Sequence, residues 1–315
     1  MQDLHHLKTS KKAIVEEPPK KSHLKLFFIV FAILFTIVAI FYFLLSANSS
    51  WDGKSKILVA SEDSAGIVTI TVLDPGTSSI SYLVAPAEVE VNAANNLGTW
   101  KLGSISKLGN DKNLGGIFLK NTLIKSFNFP ITDWSGPDFI KLTNGNILSE
   151  LSTFFKPDIS NLSVFDKLRM ANFAIAVNAN GKITTSLEDT SELSRAKLTD
   201  GSLGWTITDN IPTSVESFLV DTNLASKNLN VLINDYTSTS VASGIVTKTV
   251  EALGANVASI QNMDVNKSLD CKITGQTQAA VDKIAKIFSC DKSYSKAPNN
   301  FDIQIDIGEI FRNRF

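Results

Sequence analysis

The chain has 315 residues, a formal net charge of −1, 19% charged and 43% hydrophobic residues, the make-up of a foldable protein and not of a disordered stalk. It has no basic surplus with which to neutralise phosphates, which makes nucleic-acid binding a poor reading. All three histidines, His5, His6 and His23, precede the first long apolar run, so Ser-His-Asp and Cys-His catalysis, HExxH metallopeptidase sites and nearly every zinc hydrolase site are excluded beyond it.

That apolar run is Leu26 to Leu45, LFFIVFAILFTIVAIFYFLL, without a charge, Pro or Gly. At ~1.5 Å per residue a helix of this length crosses a hydrocarbon core of roughly 30 Å, and residues 26–46 are predicted to span a membrane. Thr36 can bond back to its own helix, Tyr42 can reach the interface, and Trp51 adds an interfacial ring. Lys8, Lys11, Lys12, Lys20, Lys21 and Lys25 precede the run, against Asp3, Glu16 and Glu17, so the positive-inside bias makes residues 1–25 a cytoplasmic tail and places everything after Asn48 outside. Pro18 and Pro19 keep that tail from continuing the helix. A cleaved signal peptide competes, because Leu45-Ser46-Ala47 offers small residues, but its apolar core would be about twice the usual length. On both readings the globular part works outside the cytoplasm, where about 265 residues leave room for one large or two modest domains.

Strands are predicted from Lys56 to Ala60, Ile67 to Leu73 and Ile80 to Val84, the last two joined as a hairpin by Asp74-Pro75-Gly76-Thr77. Asn92 to Asn113 reads as mostly loop, with Trp100 and Leu102 inward. Leu114, Ile117, Phe118 and Ile124 recur at helical spacing with Lys112, Lys120 and Lys125 between them, a helix from Asn113 to Phe127 despite Gly115 and Gly116. Gly136-Pro137-Asp138 is a break; apolar segments follow at Phe139 to Leu142 and Ile147 to Phe155, then a helix from Asn161 to Phe173 carrying Leu162, Phe165, Leu168 and Phe173. After a polar span, Glu188 to Thr199, and a Ser/Thr/Asn-rich region to Asn230, the pattern changes. Leu229 to Ile233 is a strand, Ser240 to Leu253 a helix with Val241, Ile245, Val250 and Leu253 on one face and Gly254 as C-cap, and Ala255 to Ile260 a strand. Cys271 to Thr274 is strand or loop, Thr277 to Phe288 a helix burying Ala280, Val281, Ile284, Ile287 and Phe288, and Phe301 to Ile307 a half-buried strand. The exported part is thus α/β (α+β), ending in a small α/β sandwich of about 85 residues.

Cys271 and Cys290 are the only cysteines, and in an oxidising compartment they form either a disulfide, closing a loop of about 20 residues for about 3 kcal/mol, or two buried thiols. Neither suits a nucleophile, since no exported His is present to lower its pKa. Glu62-Asp63 with Glu88 suits a hard cation or is solvated in a surface loop. Glu188, Asp189 and Glu192, near Arg195 and Lys197, form either a solvent-facing helix start or a catalytic patch, the first being favoured. Asn234 to Ser240, running into a helix N-terminus, offers N–H groups to an anion or glycan, or is capped by Ser238 or Ser240, which is preferred.

Two stretches resemble a known family. Residues 54–91, KSKILVASEDSAGIVTITVLDPGTSSISYLVAPAEVEV, resemble the opening of the LytR-CpsA-Psr domain, a bacterial envelope domain that follows one membrane helix, with Leu73-Asp74-Pro75 and Val84-Ala85-Pro86 in the places of its Ile-Asp-Pro turn and Ile-Pro-Arg-Asp stretch. Val231 to Val257, VLINDYTSTSVASGIVTKTVEALGANV, resembles the separate LytR C-terminal domain. The resemblance implies a LytR-CpsA-Psr-like domain at 52–220 and a C-terminal domain at 228–315. It also implies transfer of a glycan polymer from a polyprenyl-pyrophosphate carrier to the cell wall, with arginines holding the pyrophosphate and acids placing Mg²⁺. The family's Arg-Asp after the proline is here Ala87-Glu88, its Asp-Thr strand opening is Gly66-Ile67 or Ile67-Val68, and no Arg precedes Arg169. Bidentate guanidinium groups are what pyrophosphate recognition relies on; Lys101, Lys107 and Lys112 offer only mobile point charges.

The expectation is therefore an anchored envelope protein, held in the lipid bilayer through residues 26–46. It carries no catalytic, cofactor or metal residues and binds or scaffolds at the cell wall, with cell-wall glycan or envelope proteins as partners. The alternatives are an active glycopolymer phosphotransferase using Mg²⁺, and a purely structural protein whose first domain only mimics the hairpin.

Overall fold

The computed structural model describes residues 27–36, 51–143, 160–208 and 211–315. The chain divides into two units, Met1–Ala47 and Asn48–Phe315. In the first, residues 27–36 form a helix exposed along its whole length, and the Thr36 hydroxyl donates to the Ala32 carbonyl at 2.8 Å, the back-bond expected of it. Among the described residues no helix is long and apolar enough to cross a membrane; the remainder of 26–46 and the basic tail lie outside them. The apolar segment Ile147 to Phe155 also lies outside the described residues.

The second unit is mixed α/β, built on three mixed sheets. It opens with antiparallel β1 (Ile57–Glu62), β2 (Val68–Asp74) and β3 (Ser79–Ala85), the hairpin turn closed by the Gly76 amide donating to Asp74 Oδ1 at 3.0 Å. All seven residues of β2 are buried because both faces of the sheet are covered. β4 (Val89–Asn92) and β5 (Thr99–Lys101) follow, then a 3₁₀ turn and α1 (Ile105–Asp111). The Asn92 to Asn113 stretch is thus not mostly loop: Leu102, Ile105 and Leu108 recur every three residues and bury one side of it, while Trp100 points outward at 42% exposure.

α2 (Gly116–Phe127) starts later than the periodicity predicts, because Gly115 takes φ +61° as its N-cap and the Trp134 indole occupies the space a Cβ on Gly116 would fill. Next come β6 (Asp133–Ser135), α3 (Phe139–Thr143) and α4 (Val164–Ala176), whose Ser163 and Asp166 form a reciprocal capping box. Leu168 of α4 is exposed, contrary to its expected place on the apolar face. β7 (Lys182–Ser186) lies just before the stretch read as polar, β8 (Leu193–Lys197) within it, and β9 (Leu203–Ile207) in the Ser/Thr/Asn-rich region after it. They are mostly half-buried or exposed strands, so no clear alternation marks them. β6-β1-β2-β3-β7 form one sheet and β5-β4-β9-β8 another.

α5 (Thr213–Leu219) and α6 (Thr222–Ala225) lead to β10 (Asn230–Asp235), α7 (Val241–Ala252), β11 (Asn256–Asn262), β12 (Cys271–Gly275), α8 (Gln278–Phe288), β13 (Asp291–Ser293), β14 (Ile303–Ile307) and α9 (Glu309–Arg314). Gly254 takes φ +99° after α7, as its C-cap role predicts, but Val241 at the helix start is exposed. The third sheet runs β11-β10-β14-β12-β13. One apolar cluster runs from Leu58, Ile70 and Leu83 through Phe118 and Phe127 to Val246, Ile284 and Phe311, joining the first sheet to the helices of the third. A second cluster on the opposite face of β1 holds Ile57, Val59, Phe139 and Met170. Trp51 belongs to it, 2% exposed, its ring edge-on to Phe173 at 6.0 Å, and so is a core residue and not the interfacial ring expected.

Candidate functional site

The corner that the LytR-CpsA-Psr resemblance marks out is formed by the end of β1, the β1–β2 loop, residues 86–88 and the turn before α1. Asp63 Oδ1 accepts from the amides of Ala65 and Ile67, both at 2.9 Å, so this carboxylate shapes its own loop. Glu62 Oε2 accepts from the Ser106 hydroxyl at 2.5 Å and its amide at 3.2 Å; burial raises the carboxyl pKa above the usual range, against the pull of those bonds. Glu88 is exposed. Among the described residues no three His, Cys, Asp or Glu side chains are grouped to hold a metal ion, so Glu62, Asp63 and Glu88 are not brought together as one.

Backbone fills the space between these loops. Gly66 takes φ +78°, and a Cβ added to it would lie 2.9 Å from the Gly103 Cα. A Cβ on Gly103 would in turn lie 2.6 Å from that of Ala87, whose carbonyl accepts the Gly103 amide at 3.0 Å. Lys101 is engaged with Asp200 at 2.8 Å, while Lys107 and Lys112 are exposed. Deeper in, between the hairpin and α2, Leu58, Ala60, Ile70, Leu83, Phe118, Leu123 and Ile124 all have no accessible surface. A void large enough for a ligand would leave accessible area on the side chains lining it, so this interior is packed with side chains.

The other sequence candidates are also resolved. Glu188 and Asp189 are exposed, but Glu192, at the start of a strand and not of a helix, is 1% exposed; burial pushes its carboxyl up to about 7. In the Asn234 to Ser240 loop, Asp235 Oδ1 takes the Thr237 amide at 2.9 Å and Glu309 Oε1 takes the Ser238 amide at 2.7 Å. Two of the loop's N–H groups, those of Thr237 and Ser238, are thus held by the chain's own acids. Ser240 is the N-cap of α7 but makes no side-chain cap bond. Cys271 and Cys290 form a disulfide, S–S 2.02 Å, tying β12 to the end of α8.

A feature the sequence did not mark is a cleft of about 700 Å³ between the segment from Trp51 to Ile57 and the α8–β13 region. Four of the lysines that line it are salt-bridged. Lys56 pairs with Asp74 at 3.0 Å, Lys283 with Asp221 at 3.1 Å, Lys286 with Asp133 at 2.6 Å, and at the rim Lys292 with Asp282 at 2.7 Å. Behind them Lys120, 2% exposed, reaches from α2 to donate to the Lys286 carbonyl at 2.7 Å; burial lowers its ammonium pKa to about 7, partly opposed by Asp133. Helical spacing only sets Lys120 between the apolar positions of α2 and does not mark it as buried. What places it inside is the docking of α8 over the outer face of α2, a contact between segments far apart in the chain.

No protein-family model matches the chain, nor does any curated protein. Solved structures are similar over about half of it. Bacillus subtilis TagT is 10% identical, with 54% of this chain and 93% of that one covered at a TM-score of 0.39. Bacillus subtilis TagV is 12% identical, with 53% and 95% covered at 0.38. A LytR-CPS2A-psr family protein, YwtF (TagT) with bound octaprenyl pyrophosphate lipid, is 11% identical, with 53% and 91% covered at 0.37. At such identities the likeness concerns the fold, and function has to be argued from the site.

Proposed function

We propose that the chain is an extracytoplasmic protein of the cell envelope, anchored through residues 26–46 with its N-terminus inside, whose LytR-CpsA-Psr-like domain binds or scaffolds at the cell wall without catalysing transfer. One observation carries this: the corner where the family resemblance expects pyrophosphate-holding arginines is occupied by Ala87, packed against the backbone of Gly103. The packing between the hairpin and α2 supports the same reading, since among the described residues those side chains leave no room between them for a prenyl chain. The apolar block and the basic residues before it support the location.

The test uses the full chain in detergent, given a polyprenyl-pyrophosphate-linked glycan, Mg²⁺ and purified cell wall. The expected result is retention on the wall without transfer or hydrolysis. Transfer that Glu88→Ala abolishes would establish the enzyme instead, and failure to be retained would remove wall binding.

A further inference from the structure

We infer that the cleft between Trp51 to Ile57 and α8–β13 is a binding site for an uncharged, hydroxyl-rich glycan chain. The inference deepens the proposed wall-binding role and rests on it. At about 700 Å³ the cleft falls within the usual size of small-molecule sites, enough for a short run of sugar rings. Four of its five lysines are paired with Asp74, Asp133, Asp221 and Asp282, and the charge of the fifth, exposed Lys227, is offset by Asp52 in the same lining, so the walls carry little net field with which to gather a polyanion. A neutral ligand with many hydroxyls suits such a surface better.

The rim supplies the matching groups. Tyr294 exposes half of its ring beside the cleft while its hydroxyl donates to Asp282 Oδ1 at 2.7 Å, which fixes the ring as a ledge for the C–H face of a sugar. Lys292 binds the same Oδ1, also at 2.7 Å, leaving Asp282 Oδ2 as an acceptor with no partner among the described residues. The Asn223 and Gln278 amides line the cleft too, likewise unpartnered among the described residues, and each offers donor and acceptor together, as sugar hydroxyls do. The ledge is preorganised: β13 is only three residues long, but it pairs with β12 and is tethered to it by the Cys271–Cys290 disulfide immediately before it.

The test titrates the full chain, in a detergent without a sugar headgroup, with tetra-N-acetylchitotetraose and separately with polyglycerol phosphate, read by calorimetry. The tetrasaccharide is expected to bind with little dependence on salt. Tyr294→Ala should weaken it about tenfold. Asp282→Asn should weaken it too, and Trp100→Ala, away from the cleft, should leave it unchanged. Circular dichroism checks that each variant is folded. No binding, equal binding by the Tyr294→Ala and Asp282→Asn variants, or tighter salt-sensitive binding of polyglycerol phosphate would overturn the inference. Wall retention that survives both cleft variants would overturn it while leaving the wall-binding role standing. Tetrasaccharide binding in the cleft by a chain not retained on the wall would do the reverse.

Discussion

Glu192 gives the sharpest test of the packing. Its side chain is 1% exposed, and its Oε2 has no hydrogen-bond partner among the described residues. Desolvation is the cause that lifts its carboxyl from an ordinary 4.5 to about 7. The folded state therefore holds a proton that the unfolded state has released, and the stabilisation present below pH 4.5 is lost as the pH rises through about 7. With ~1.4 kcal/mol per pH unit over a gap of about 2.5 units, the loss at pH 8 is about 3 kcal/mol. Glu192→Gln keeps the shape and removes the ionisation. The variant should exceed the parent in stability by up to about 3 kcal/mol at pH 8, an advantage that shrinks towards nothing near pH 4.5. Urea unfolding of the full chain at pH 4.5, 6, 7 and 8 measures this. A difference between variant and parent that does not change with pH, or a variant less stable at pH 8, would refute the reasoning.

Lys120 should act in the opposite direction and in another pH window. With its pKa lowered to about 7 in the fold, the parent gains stability as pH rises from there towards 10.5, so its advantage over Lys120→Met should grow by about 1.4 kcal/mol per unit between pH 7.5 and 9.5. Parallel urea curves at the two pH values would show that the ammonium is solvated. Gly66→Ala should cost about 1–2 kcal/mol for the left-handed backbone alone, and more for the approach to Gly103, read as a lower urea midpoint. A variant as stable as the parent would mean that these loops part easily and that the corner is not closed.

Local patterns carried much of the fold. The hairpin of β2 and β3 was readable because β-branched residues flank an Asp-Pro-Gly turn, and α8 because Ala280, Val281, Ile284, Ile287 and Phe288 repeat with helical period. β8 and β9 were not, since strands buried only in part have no alternation to read. The position of the family's missing arginine was legible as Ala87, but its meaning was not: only the structure places Gly103 against it. The cleft was invisible for a similar reason. Lys56, Lys283 and Lys286 look like ordinary surface lysines until distant acids are brought to them, and a lysine's long stem lets one residue type serve surface and interior alike.

The contact between Gly66 and Gly103 also sets a limit on redesign. Restoring a guanidinium at position 87 would be a change of side chain in the sequence, yet in space that residue leans on a turn which itself leans on the β1–β2 loop, with no Cβ between the two glycines to trim. Room for an arginine would require lengthening or re-routing one of the loops. Installing pyrophosphate chemistry on this scaffold is thus a problem of backbone respacing, and substitution of single residues should fail however well the replacements are chosen.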